Sequence, residues 1–390
     1  MKTKVKTLWD KIFYTPQPLP PQMVHSIVEI DGKPNRLHLR IEENGEGLLI
    51  LNASTILHLN PTAAEIAYYL IKHMDQSAIV EQICKRYQIN ADVARQDIED
   101  LKFRIDTLMR TPDLDPETFL DMERAPRHST GSGIPLRLDC ALTYQTPTEF
   151  SDLYSPVKRV DRTLDTEEWQ LILKKCWEWG IPHVVFTGGE PTLRPDLIEL
   201  IQFAENQGQV TGLITDGYRL TNRDYLHSLL QSGLDHIMLV FHPFEEESLE
   251  AIRDIVNEDI HLTVHLVINQ NTKDHLNDLM DQIAKIGVMN LSLSAINKEF
   301  EKYLSEASRL SAEKGFSLVY DLPVPYSEIN PVNLEIEEDT NHFQGAGRSW
   351  LYVEPDGDVL PSQGGTHYLG NLLKDSWMTI SANRKLYLQA

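Results

Sequence analysis

The chain has 390 residues, of which 41% are hydrophobic and 24% charged, and its formal net charge is −22. This composition is that of a globular protein and excludes the fibrous and wholly disordered classes. Because so acidic a surface repels phosphate backbones and anionic headgroups, we expect no nucleic-acid partner and no membrane association. The first residues lack the apolar stretch of a signal peptide, and the only cysteines are Cys84, Cys140 and Cys176. These features predict a reducing, cytoplasmic location.

The N-terminal third of the sequence predicts an arm followed by a small α+β domain. Residues 1–23 are basic and then rich in proline, which is typical of an extended arm. From residue 24 to residue 60, short β-prone runs alternate with Asp-Gly and Asn-Gly turn signals. Amphipathic helices are expected from Pro61, after Ser77, and over 91–109. We therefore predict a winged-helix-like domain over residues 24–110.

Residues 111–135 are rich in proline and lack periodicity, which predicts a linker. Strand and helix patterns then alternate over residues 136–320, and this order predicts parallel strands with right-handed crossovers. The fold class is therefore α/β, a partial (β/α)6 TIM-like barrel whose ligand sites are expected at the carboxyl ends of the strands. The predicted strands are 136–144, 182–187, 210–215, 235–241, 261–268 and 289–294. The predicted helices are 166–179, 195–207, 222–232, 245–256, 273–286 and 298–314.

A C-terminal extension is predicted over residues 321–390. Two short apolar runs, 350–354 and 358–361, flank a Pro-Asp-Gly turn signal. This arrangement predicts a β-hairpin. A weak helical pattern resumes over residues 371–380.

The most specific chemical motif is the Gly188-Gly189-Glu190-Pro191 turn that follows the second predicted barrel strand. Two glycines let the backbone approach a ligand closely, and the Glu190 carboxylate could accept hydrogen bonds from an ammonium group. The same residues are also compatible with a tight strand-to-helix turn that binds nothing. Both interpretations stay open on the motif alone.

In its wider context the motif resembles the core of the radical S-adenosylmethionine (SAM) superfamily. The lead-in strand 136–144, the 187–197 turn, the Thr-Asp-Gly of 215–217 and the strand entry at 233–236 all match that pattern. Asp216 stands where the family has Asn. The 187–197 turn of the family holds the amino group of SAM, so the resemblance implies that the pocket residues are Gly188, Gly189, Glu190 and Thr215.

The flanking regions resemble parts of peptide-modifying members of the same superfamily. Residues 51–63 are similar to the peptide chaperone of pyrroloquinoline-quinone biosynthesis, a leader-peptide recognition element. Residues 321–326 and 350–361 resemble an extension that carries an auxiliary cluster. The resemblance therefore implies a leader or precursor peptide as partner, and an intact radical SAM paralogue as a further possible one.

The sequence departs from the family at the cysteines that bind its catalytic [4Fe–4S] cluster. The C-x3-C-x2-C positions correspond to Thr146, Phe150 and Leu153, and the auxiliary-cluster position to Ser362. Iron–sulfur clusters need thiolate ligands, so we expect the cluster to be absent. Val240 stands in place of a serine that contacts the ribose. We therefore expect no cofactor, with SAM binding weak at most.

These observations favour a catalytically degenerate protein, a pseudoenzyme that binds a peptide or a partner enzyme in ribosomal-peptide modification. One alternative is an active radical SAM peptide-modifying enzyme with unusual cluster ligation. A second is a regulator that senses SAM or another small molecule. Four histidines on or beside the barrel strands could converge on a metal, although strand alternation argues against it and we expect none. They are His183, His236, His242 and His265.

Overall fold

The computed structural model describes residues 16–52, 55–111, 114, 119–120, 133–147, 160–319 and 345–389. The chain divides into two compact units, Met1–Ala125 and Pro126–Ala390. The predicted domain limits at residues 111, 135 and 321 stay predictions, because most of 111–135 and all of 320–344 lie outside the described residues. None of the helices in the described ranges is long and apolar enough to span a bilayer.

The first unit is an antiparallel four-stranded sheet packed against helices, in the order β1-β2-β3-β4. Asn60 caps the first helix by accepting a hydrogen bond from the Ala63 amide, as the Asn-Pro start predicts. The sheet packs on helices in one buried cluster, and the three helices pack on one another in a second. The predicted α+β class of this unit is confirmed. Its strands are β1 (Gln22–Ile30), β2 (Lys33–Ile41), β3 (Gly47–Leu51) and β4 (Thr55–Leu59). Its helices are α1 (Pro61–Ile71), α2 (Gln76–Tyr87) and α3 (Ala91–Arg110).

The second unit contains the predicted alternation of strands and helices. Six consecutive strands pair in parallel, each with the next in the sequence. These are β5 (Arg137–Thr143), β6 (His183–Gly188), β7 (Val210–Thr215), β8 (His236–Val240), β9 (His261–Ile268) and β10 (Asn290–Ala295). The helices between and after them are α4 (Thr166–Glu178), α5 (Leu197–Gln207), α6 (Arg223–Gln231), α7 (Glu246–Val256), α8 (Leu276–Ile286) and α9 (Leu304–Glu313). The predicted α/β barrel architecture is confirmed.

The sheet extends beyond these six strands at both edges. The short strand β11 (Ser317–Leu318) follows β10, and β12 (Trp350–Val353) pairs in parallel with β5. The predicted hairpin is present, since β12 is antiparallel to β13 (Asp358–Leu360). β14 (Gly370–Asn371) and helix α10 (Trp377–Tyr387) complete the unit. The hairpin therefore continues the barrel sheet, which the local sequence pattern does not predict.

Strand alternation divides the buried side chains of the second unit between two layers. On β6 the odd position Val185 joins a small cluster with Ile214, Met238 and Val240. Even positions such as Cys140 and Phe186 face the helices in the main core. The first barrel helix begins at a capping box in which Asp165 and Glu168 bond each other's backbone amides. Because β5, β6 and β7 pair in parallel, their carboxyl ends lie side by side.

Candidate ligand site at the ends of the first barrel strands

The Gly-Gly turn packs directly against the chain that leaves β5. The Gly189 amide donates to the Thr143 carbonyl at 2.6 Å, and the Glu190 amide donates to the Gln145 carbonyl at 2.7 Å. A Cβ atom at residue 188 would lie 2.2 Å from the Thr143 oxygen, and one at residue 189 would lie 2.1 Å from the Gln145 oxygen. Both positions therefore require glycine for backbone packing, whatever else the turn binds.

Glu190 joins the ends of β6 and β7. Its side chain is buried, and its Oε1 accepts hydrogen bonds from the Thr192 amide at 2.9 Å and the Thr215 hydroxyl at 2.8 Å. Its Oε2 accepts from the Asp216 amide at 2.8 Å. The structure thus brings together Glu190 and Thr215, two of the predicted pocket residues. Their predicted role in holding SAM stays a prediction.

The acidic side chain of Asp216 adds to this site a feature that we did not predict. Burial and the nearby charge of Glu190 raise the pKa of Asp216 to about 8, and burial also raises the pKa of Glu190. The Asp216 Oδ1 accepts from the Tyr218 amide at 3.0 Å. The sequence did contain a signal for this pair, because Glu190 and Asp216 each follow the end of one of two successive parallel strands.

Arg194 fixes the loops around the turn. Its guanidinium donates to the carbonyls of Leu142 at 3.1 Å and Leu164 at 2.9 Å, and it forms a two-point ion pair with Asp196. These contacts join the end of β5, the start of α4 and the segment before α5. The turn is therefore held by charge-assisted hydrogen bonds as well as by its own backbone.

The positions that correspond to cluster ligands are only partly described. Thr146 and Ser362 are half-buried, whereas Phe150 and Leu153 lie outside the described residues. Beside Thr146, the Tyr144 hydroxyl donates to Glu354 Oε1 at 3.0 Å, which links the loop after β5 to the end of β12. This link follows from the unexpected parallel pairing of those two strands.

The described cysteines lie away from these strand ends. Cys140 and Cys176 are fully buried in the helix-side core. Burial raises the pKa of both thiols, which keeps them protonated. Cys84 is half-buried in the first unit. The prediction that the cysteines are buried small hydrophobic residues therefore holds for Cys140 and Cys176.

The four candidate histidines do not converge on one site. His183 and His236 contact each other, His265 lies between Ser292 and Ser294, and His242 packs against the Tyr218 ring. Within the described ranges, the only group of side chains with metal-ligand spacing is acidic: Glu354, Asp356 and Asp358.

Comparison with known proteins identifies two consecutive regions. The family model of the radical SAM superfamily matches residues 140–280, and that of coenzyme PQQ synthesis protein D (PqqD) matches residues 47–101. A PqqA peptide cyclase from Rhodopseudomonas palustris is 31% identical over 263 residues, covering 59% of this chain and 67% of the relative. The chain belongs to the radical SAM superfamily. A second PqqA peptide cyclase, from Bradyrhizobium diazoefficiens, is 29% identical over the same shares of the two chains.

Solved structures support the same fold over nearly the whole chain. Streptococcus suis SuiB bound to its precursor peptide SuiA covers 92% of this chain, and the match covers 88% of SuiB. The TM-score is 0.59 at 13% sequence identity. SuiB bound to S-adenosylmethionine matches with a TM-score of 0.58 at 14% identity. At these identities the likeness establishes the TIM-like barrel fold of radical SAM proteins.

Membership of the superfamily corrects our expectation that no cofactor is bound. That expectation was wrong because it rested on single positions, the cysteine positions and Val240, whereas the matched range 140–280 includes the whole Gly188–Glu190 turn and the buried Cys140. SAM and a [4Fe–4S] cluster are the cofactors of this superfamily. The acidic pocket formed by Glu190 and Asp216 fits the cationic amino group of SAM.

The described thiols do not have the placement that a cluster at the strand ends requires. Cys140 lies on β5 but faces the helices, in a cluster of apolar side chains that includes Cys176. Thr146, at the first ligand position, offers a hydroxyl. The described residues therefore do not fit a [4Fe–4S] cluster at these strand ends.

Proposed function

We propose that this chain is a radical SAM protein of the peptide-modifying type, in which the N-terminal unit binds a precursor peptide and the barrel binds SAM. The observation that carries the proposal is the succession, in one chain, of a PqqD-like unit and a radical SAM barrel. The names of the PqqA peptide cyclase relatives, and of SuiB bound to its precursor peptide SuiA, support a peptide as the substrate. They favour an active enzyme over the pseudoenzyme that we expected from the cysteine positions.

The peptide is proposed to bind along the edge strand β4 by β-augmentation. β4 is the last strand of the described sheet and pairs with β3 on one side. Leu59 of β4 shares a core cluster with Ile105 and Leu108 of α3, so the edge strand and this helix contribute to the same core. Ile56 of β4 is 41% exposed and Phe103 of α3 is 65% exposed, and both offer apolar contacts to an extended peptide.

In the barrel, the proposed work of this chain's residues is to bind and orient SAM. Glu190, held by three hydrogen bonds, would place negative charge beside the amino group, and the Gly188-Gly189 backbone would frame it. SAM would supply radical chemistry only where an iron–sulfur cluster provides the electron for its cleavage, and the described thiols, Cys140 and Cys176 in the helix-side core, do not provide the ligands for one at these strand ends. Arg194, by fixing the surrounding loops, would keep this pocket in one geometry.

Peptide binding is tested by fluorescence anisotropy with labelled precursor peptides encoded near this gene. We expect Ile56→Asp to weaken binding at least tenfold, because a charge on the edge strand costs about 1.4 kcal/mol or more at an apolar contact. Ile27→Asp is the matched control, since Ile27 is 53% exposed on the opposite edge strand β1. Equal affinity of the two variants would contradict the assignment of the β4 edge.

Turnover is tested separately. The full-length protein is treated anaerobically with iron and sulfide, its iron is counted, and 5′-deoxyadenosine is measured after addition of SAM, reductant and peptide. We expect 5′-deoxyadenosine to form, and to form faster with the peptide present.

A second candidate function is a peptide-binding partner of an intact radical SAM enzyme. The hydroxyl of Thr146 at a ligand position favours it. Peptide binding without 5′-deoxyadenosine from this chain, together with stimulation of a cysteine-bearing paralogue, would support this candidate over the first.

A further inference from the structure

Residues 16–21 of the N-terminal arm cross one end of the four-stranded sheet. Gln22, at the start of β1, pairs with the last residue of β2. Pro18 lies against the β2–β3 turn, where a Cβ atom on Gly45 would lie 2.5 Å from Pro18 Cβ and 3.6 Å from Pro61 Cβ. Pro61 is the second residue after β4. The arm therefore carries the chain away from the β1 edge of the sheet and toward the carboxyl end of the β4 edge.

A buried carboxylate holds the arm at this place. Glu65 of α1 is 2% exposed and forms an ion pair with Arg86 at 2.6 Å. Tyr69 and Tyr87 also donate hydrogen bonds to its carboxylate, each at 2.9 Å. The Arg86 guanidinium donates in turn to the Gln17 carbonyl at 2.5 Å. Because these charge-assisted contacts orient one another, Gln17 is a fixed point from which the preceding residues extend.

The β4 edge beside this fixed point is open and mostly apolar. Among the described strands, β4 pairs only with β3. Its sequence, Thr-Ile-Leu-His-Leu, contains no proline or lysine of the kind that blocks an edge from pairing. Ile56 is 41% exposed, and His58 is also exposed. Such an edge pairs readily with an extended segment that supplies apolar side chains.

Residues 1–15, which lie outside the described residues, have a composition that suits this edge. They contain four lysines and one aspartate, whereas the whole chain has a net charge of −22. Basic groups are attracted to so acidic a protein, and large apolar side chains can cover the exposed part of β4. The segment has four such side chains within six positions: Leu8, Trp9, Ile12 and Phe13.

We propose that residues 1–15 bind the β4 edge of the same chain, so that a precursor peptide must displace them before it binds there. The intramolecular contact stands on the arm and the edge alone, whereas the competition rests on the proposed function of the N-terminal unit. Fifteen extended residues span up to about 50 Å, and five strand residues span about 17 Å. The segment is therefore long enough to pair along the whole of β4.

The tether makes even a weak contact effective. A segment joined by a short linker acts at a local concentration in the millimolar range. With an intrinsic dissociation constant of about 100 μM, it would occupy the edge in about 90% of the molecules and weaken the binding of a competing peptide about tenfold. Release of the segment should therefore give a gain in peptide affinity that is large enough to measure.

The first experiment is amide hydrogen exchange of the full-length protein, followed by mass spectrometry, with no peptide added. The variant Leu8→Asp/Trp9→Asp removes two apolar contacts of the segment. In this variant, the amides of residues 55–59 that do not pair with β3 should exchange up to about tenfold faster than in wild type. Thr3→Asp/Thr7→Asp is the matched control, because it adds the same two negative charges at polar positions of the same segment. Its effect on exchange should be clearly smaller.

The second experiment is fluorescence anisotropy with labelled precursor peptides. Leu8→Asp/Trp9→Asp should bind the peptide about tenfold more tightly than wild type, because the competing segment is released. Adding Ile56→Asp to this variant should remove the gain, since the peptide and the segment use the same edge.

Equal exchange at residues 55–59 in wild type and in Leu8→Asp/Trp9→Asp would overturn the proposal. A change confined to the opposite edge, residues 22–30, would overturn it as well. Faster exchange at residues 55–59 without a gain in peptide affinity would overturn the competition. If exchange there changes as expected but no precursor peptide binds any variant, the intramolecular contact is supported and the proposed peptide-binding function fails.

Discussion

The imidazoles of His183 and His236 meet across strand β7, with their Nε2 atoms 2.8 Å apart. β7 lies between the strands that carry them, and Gly212 on β7 leaves the space that the rings share. A Cβ atom at residue 212 would lie 2.1 Å from His236 Cε1. Burial lowers the pKa of His236 to about 3, so that ring is neutral at pH 7.

We expect Gly212→Ala to destabilise the protein by about 1 to 3 kcal/mol, because the added methyl group overlaps a buried ring. Urea denaturation at pH 7 measures this loss. The double variant Gly212→Ala/His236→Ala removes the overlapping ring, so its loss should be smaller than the sum of the two single losses. Strictly additive losses would show that the overlap is not the cause.

We expect the buried side chain of His265 to make the folded protein less stable in acid. Its Nδ1 lies 3.0 Å from the Ser292 hydroxyl and its Nε2 lies 3.0 Å from the Ser294 hydroxyl. Burial lowers its pKa from 6.5 to about 3, so between these values the unfolded chain binds a proton that the folded chain does not. The contribution is fully present above pH 6.5 and is lost as the pH falls, by up to about 1.4 kcal/mol per unit.

The measurement is the free energy of unfolding in urea at pH 7, 6 and 5. His265→Gln keeps hydrogen-bonding groups at this position and does not titrate, so the stability of this variant should fall less steeply than that of wild type. Identical slopes for the two proteins would contradict a neutral, buried His265. His236 and His242 remain in the variant, so part of the slope persists.

The sequence alone predicted the elements that local patterns determine. The alternation of strands and helices over 136–320 follows from apolar periodicity and from caps such as Asp165, and the structure confirms it. The parallel pairing of β12 with β5 was missed, because the two strands are about 210 residues apart and the four-residue β12 carries no local sign of its partner. The Glu190–Asp216 contact is also long-range, although both residues follow strands that were predicted to be neighbours.

Matching single positions to the family's cysteine motif was not enough to predict whether a cofactor binds. A position match to the family assigned Thr146, Phe150, Leu153 and Ser362 to lost ligand sites. From these positions and from Val240 we expected no cofactor, with SAM binding weak at most. Family membership overturns that expectation, since the matched range 140–280 covers the Gly188–Glu190 turn as well as the altered positions. The direction of Cys140, in contrast, could be predicted from strand alternation, because Leu138 and Leu142 flank it on the same face.

Asp216→Asn should raise stability at alkaline pH, which is the opposite of the histidine effect. The folded pKa of Asp216, about 8, lies above the ordinary value of 3.8. Between these values the folded chain binds the extra proton, so wild-type stability falls as the pH rises from about 4 to 8. At pH 8.5 the variant should be more stable than wild type by on the order of 1 to 3 kcal/mol, the equivalent of one to two pKa units.

Thermal unfolding at pH 5 and pH 8.5 measures this difference. The advantage of Asp216→Asn should be larger at pH 8.5 than at pH 5. The exposed control Asp259→Asn should show no such change between the two pH values. An advantage for Asp216→Asn that is the same at both pH values would contradict a raised pKa of Asp216 in the folded chain.

Substitution of Glu190 should lower the stability of the protein more than substitution of Thr215. Glu190 accepts three hydrogen bonds, whereas Thr215 donates only one of these three. Glu190→Gln places an amide N–H₂ against backbone and hydroxyl donors, so at least one donor is left without an acceptor, at a cost of about 1 to 3 kcal/mol. Thr215→Val removes one hydroxyl of similar volume and should cost about 1 kcal/mol. Urea denaturation at pH 7 measures both losses, and titration with SAM measures affinity for the same proteins. If Glu190 holds the ends of β6 and β7 together, Glu190→Gln should weaken SAM binding more than Thr215→Val does. A Glu190→Gln protein with wild-type stability would show that the three donors are satisfied elsewhere.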